Sequence, residues 1–85
     1  MRSFRQHKID VAIAECLRDA EPYLLPESIL KADAGRKVVP RPTETELVDS
    51  IRFHDRAMHL TSVAGDTEVK YKMNDLGRAW LAERE

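Results

Sequence analysis

A lone cysteine, Cys16, three scattered glycines and no long apolar run remove several kinds of protein from consideration. One thiol cannot close an internal disulfide, which excludes a disulfide scaffold and points to a reducing compartment. No apolar stretch is long enough to span a bilayer, and no charged start leads into a signal-like apolar segment, so a cytoplasmic protein without a membrane partner is expected. The glycines stand too far apart to cradle a phosphate. Excess positive charge is missing as well: 14 Lys and Arg face 15 Asp and Glu, a net charge of −1. The overall balance therefore supplies none of the pull toward phosphates that drives non-specific nucleic-acid binding. What remains is an ordinary globular composition, 42% hydrophobic and 34% charged. Residues 1–85 make one domain with one core, because so short a chain buries only roughly 60–65% of the surface it exposes when unfolded.

Helical periodicity is clearest at the start. Ile9, Ala12, Ile13, Cys16, Leu17 and Ala20 recur at the spacing of one buried face, so a first helix is expected from about Gln6 to Glu21. Pro22 stops it. Tyr23, Leu24 and Leu25 form a short extended piece, Pro26 suits the first position of a brief second helix, and Gly35 ends that helix. The loop "RKVVPRP" follows. Thr43 and Glu46 form a capping box, which opens a third helix from Thr43 to about Ala57 with Leu47, Val48, Ile51 and Met58 on its buried side and His54 at the edge. Phe53 lands nearly opposite, among Glu46, Asp49, Arg52 and Arg56.

Then the repeat shortens to two residues. Val69, Tyr71 and Met73 alternate with Glu68, Lys70 and Lys72, so Leu60–Ala64 and Thr67–Met73 should pair as a hairpin, with Gly65-Asp66 offering positive φ at the turn. Asn74 or Asp75 can cap a last short helix carrying Leu76, Ala79 and Trp80. Trp80 is expected to pack on the first helix.

No group of residues has the makings of a catalytic centre. Glu44 and Glu46 point to different sides of a helix, and Cys16 belongs to an apolar stripe without a base beside it, so no enzyme is expected. His54, Asp55 and His59 do not match a common closed metal site, and no cofactor is implied. Two basic clusters stand out, Arg2, Arg5 and Lys8 at the start and Arg36, Lys37 and Arg41 in the middle.

The order helix, extended piece, helix, helix, hairpin, helix is that of a winged helix-turn-helix domain, and the chain resembles that family from about Gln6 to Ala82. The segment "YKMNDLGRAWL" is similar to the end of the wing in small bacterial and phage winged-helix regulators, through Tyr71, Lys72, Met73, Asn74, Gly77, Arg78 and Leu81. The fold class implied is α+β: three helices, a two-stranded β-hairpin wing and a short C-terminal helix. The resemblance implies a transcriptional regulator, with the third helix in the major groove of double-stranded DNA and a homodimer reading two half-sites. The residues available for phosphate and base contacts are Arg36, Lys37, Arg41, Arg52, Arg56, Lys70 and Lys72, with Arg52 best placed for a base edge. The third helix is also acidic, through Glu44, Glu46, Asp49 and Asp55. That favours a second reading, a protein-interaction module with a protein partner on Glu46, Asp49, Phe53 and Arg56.

Overall fold

A computed structural model describes residues 1–85 as an α+β domain of four helices and a three-stranded antiparallel sheet. Helix α1 spans Phe4–Ala20 and begins two residues before the apolar stripe suggests. Ser3 is the reason. Its hydroxyl accepts from the Gln6 N–H at 3.1 Å, and the Gln6 side chain accepts from the Ser3 N–H at 2.8 Å, a capping box that satisfies two otherwise orphaned donors. Strand β1 is only Leu25–Pro26, and α2 runs Glu27–Gly35 with Pro26 as its N-cap rather than its first helical residue. Helix α3, Glu44–Arg56, carries the expected Thr43–Glu46 capping box. Strands β2 (Leu60–Ala64) and β3 (Val69–Met73) form the hairpin, and α4 is Asp75–Ala82, capped by the Asn74 side chain on the Gly77 N–H at 2.9 Å.

The sheet has three strands, not the two of the expected hairpin alone. Its order is β1-β3-β2, because the extended piece between the first two helices places Leu25 opposite Tyr71 and Pro26 opposite Lys70. The hairpin turn also differs from expectation: no glycine has positive φ, and the connection is closed by the Gly65 N–H donating to the Glu68 carbonyl at 3.0 Å. Glycine is needed there for space, since a Cβ on Gly65 would stand 2.4 Å from that carbonyl oxygen.

One core fills the space between sheet and helices. Ile9, Ile13, Cys16 and Leu17 of α1 meet Leu30 and Ala34 of α2, Leu47 and Ile51 of α3, Leu60, Tyr71 and Met73 of the sheet, and Leu81 of α4. Met58 does not join Leu47 and Ile51 but lies exposed. Helix α3 ends before it in a Schellman arrangement, with Met58 N–H on the Asp55 carbonyl at 3.1 Å and His59 N–H on the His54 carbonyl at 2.9 Å. Met58 takes the left-handed position, φ 61°, that glycine usually fills, so its side chain leaves the helical face.

Candidate nucleic-acid interface

The leading acidic side chains of α3, Glu44, Glu46 and Asp49, do not project as free charges. Glu44 receives the Lys31 ammonium at 2.6 Å, Glu46 accepts the Arg5 guanidinium through both oxygens at 2.7 and 3.1 Å, and Asp49 receives Arg2 at 2.8 Å. The cations come from α2 and from the start of the chain, so the basic cluster at Arg2 and Arg5 is spent on the fold itself. The Arg5 hydrogen bonds, helped by the Thr43 backbone N–H, hold the Glu46 carboxyl down at about 2. Lys31 is pushed above its ordinary range, first by its bond to Glu44.

The basic side chains expected to touch DNA divide into two groups. Arg36 pairs with Asp33 and Lys37 with Glu15 at 3.9 Å, and both rim a depression of about 430 Å³ that also includes Cys16, Asp19 and Leu25. Arg41, Arg52, Arg56, Lys70 and Lys72 form no ion pair. Arg52 and Arg56 are exposed on α3, and the Arg41 guanidinium rests over Gly35 at the end of α2. Lys70 and Lys72 flank the buried Tyr71 on β3 and so project from the opposite face of the sheet. The acids without an ion pair are Asp55, Asp66 and Glu68, and Glu68 is tied to Ser28 through its backbone N–H at 2.7 Å and its hydroxyl at 3.0 Å.

The groups of the protein-interaction reading are already engaged within the chain, apart from Arg56. Phe53 is half-buried, with the Arg2 guanidinium 4.7 Å from its ring centre and its edge on His54, His59 and Trp80. Trp80 does reach α1, through His7 at 6.0 Å, but its nearest ring is that of His54 at 5.0 Å.

Sequence periodicity gave no sign of the polar cluster that fixes α3 to α1. Asp10 is fully buried and accepts from Arg2 at 2.9 and 2.7 Å and from the Ser50 hydroxyl at 2.6 Å. His54, also buried rather than at an edge, sets its Nε2 2.8 Å from the Asp10 carbonyl oxygen and its Nδ1 3.0 Å from Nδ1 of His59. A carbonyl only accepts, so His54 carries its proton on Nε2 and accepts from the His59 Nδ1–H, which assigns both tautomers by the network. Burial pushes His54 from 6.5 down to about 4, and it lowers His59 with help from Arg84.

Both imidazoles therefore bind protons more readily in the unfolded chain. The His54 contribution to stability is complete above about pH 6.5 and is lost as pH falls toward about 4, and that of His59 falls in the same direction. For His54 the loss amounts to about 3 kcal/mol at about 1.4 kcal/mol per pH unit. Urea unfolding followed from pH 7.5 to 4.5 should show it, with the His54 ring still neutral by NMR at pH 5.5. A His54 ring that titrates near its ordinary value would contradict the assignment.

Compared with protein-family models, with curated proteins and with solved structures, the chain matches none of them significantly.

Proposed function

We propose that this chain is a winged-helix nucleic-acid-binding protein that engages double-stranded DNA with α3 and the β2–β3 hairpin. The observation that carries the reading is the division of charge around α3. Its leading carboxylates, Glu44, Glu46 and Asp49, are each neutralised within the fold, while Arg41, Arg52, Arg56, Lys70 and Lys72 are left without acidic partners. A net charge of −1 thus conceals an excess of unpaired cations on and around this helix and hairpin. The element order supports the same reading, since the short strand before α2 and the hairpin after α3 stand where a winged helix has them.

The mechanism follows from which groups are free. Arg41 and the two hairpin lysines would hold phosphates and set the register, while Arg52 and Arg56, exposed on one side of α3, would reach toward the groove. With Arg41, Lys70 and Lys72 on phosphates, affinity for a mixed-sequence duplex should fall about 40-fold between about 50 and 200 mM salt. Backbone amide shifts should fall in Arg41–Arg56 and Val69–Met73 and fade with that salt. The double variant Lys70→Gln, Lys72→Gln should reduce the salt slope by about two. An amide spectrum unchanged by duplex at about 50 mM salt would overturn the proposal.

A further inference from the structure

The strand order β1-β3-β2 leaves β2 with one side unpaired. Two hydrogen bonds bracket its ladder with β3: the Asn74 N–H on the His59 carbonyl at 3.1 Å and the Gly65 N–H on the Glu68 carbonyl at 3.0 Å. Antiparallel backbones alternate, so with Leu60 opposite Met73 and Ala64 opposite Val69, residues Thr61 and Val63 direct their N–H and C=O toward β3. Those of Leu60, Ser62 and Ala64 point outward. No loop, cap or side-chain hydrogen bond reaches them.

Natural sheets guard such an edge with lysine, proline, a bulge or a covering element. None of these residues stands in "LTSVA", and Thr61, Ser62, Val63 and Ala64 are all exposed. Thr61 and Val63 are β-branched, which suits them to an extended, paired strand. The edge is thus an uncharged template for another strand.

We propose that two copies of this chain pair antiparallel through β2, joining their sheets into one six-stranded sheet about a two-fold axis at Ser62. The strand is its own best complement. With the axis at Ser62, Leu60 faces the partner's Ala64 and Ser62 faces the partner's Ser62, so every outward backbone group meets an outward group and about six hydrogen bonds close. On the sheet's outer face Thr61 comes opposite the partner's Val63, a β-branched pair formed twice. No like charges meet, because Lys72 and the partner's Lys70 are three strand spacings apart, about 14 Å, and lie beyond the screening length of about 8 Å. A foreign peptide would gain the same backbone bonds but not the self-complementary register that a second copy brings. This pairing stands whether or not the chain binds DNA.

Sedimentation equilibrium from about 10 µM to 1 mM, combined with amide hydrogen exchange at both ends of that range, tests it. The expected result is a mass rising from 9.8 kDa toward twice that value, with Ser62 and Ala64 amides slowing as concentration rises and Thr61 and Val63 unchanged. Val63→Lys, at an exposed position, should abolish the mass increase while preserving the amide spectrum of the folded chain. Ser62→Pro, which removes an outward donor and no ladder bond, should do the same. A monomer throughout, a dimer that survives both substitutions, or Ser62 and Ala64 amides protected only when an unrelated β-branched peptide is added would each overturn the proposal.

Discussion

Replacement of Asp10 by alanine is expected to lower the melting temperature by about 15 to 30 °C, the equivalent of about 3 to 5 kcal/mol in a domain of this size. Asp10 has no exposed surface, and three hydrogen bonds converge on its carboxylate from Arg2 and Ser50. Alanine leaves the fully buried Ser50 hydroxyl without that acceptor and opens a small void between α1 and α3. It also frees Arg2, which then has Asp49 as its remaining carboxylate partner. A total stability of about 4 to 13 kcal/mol is ordinary for this length, so such a loss is a large fraction of it. Thermal melts followed by circular dichroism check it. A fall of less than about 5 °C, or about 1 kcal/mol, would mean that the cluster contributes little.

The second large effect is expected at Gly77. A Cβ there would stand 2.2 Å from the His59 carbonyl oxygen, 3.1 Å from the His59 carbonyl carbon and 2.9 Å from Met73 Cγ. The side chain of Met73 can turn away, but the backbone of His59 cannot: its carbonyl receives the Asn74 N–H, and its N–H closes the end of α3. Gly77→Ala must therefore lift the start of α4 off the sheet, at a cost of about 3 kcal/mol or more, even though alanine is the better helix former. Urea unfolding of this variant beside an Ala79→Gly control, at an exposed position of the same helix, separates the two effects. The control should lose only about 1 kcal/mol. Equal losses would show that the close approach is not what selects glycine.

Features set by near neighbours were legible in the sequence. The Thr43–Glu46 box, the Asn74 cap and the stripe of α1 all depend on residues within a turn or two of each other, and all are present. The two-residue repeat of β3 holds for Tyr71 and Met73, but the strand starts at Val69 rather than Thr67 and Val69 is exposed. The early start of α1 was legible too, since Ser3 and Gln6 carry the same signature as Thr43 and Glu46, but the apolar stripe alone does not reach that far. Partnerships across the chain were not. Arg5 and Glu46 are 41 residues apart, and Leu25 meets Tyr71 only through the pairing of β1 with β3. For that reason the charge of α3, read residue by residue, looked anionic. Phe53 lies away from the Ile51 face, as a helical wheel puts it, but the wheel does not show that the arm bearing Arg2 covers it from outside the helix.

The lone tryptophan has a practical consequence. Trp80 sits where α1, α3 and α4 meet, in contact with all three histidines of the chain and with the Arg84 guanidinium 4.1 Å above its ring. The molecule therefore contains its own optical probe at the junction of its helices. Its ultraviolet emission can follow a protonating imidazole, a loosened last helix or a dislodged N-terminal arm without any dye attached.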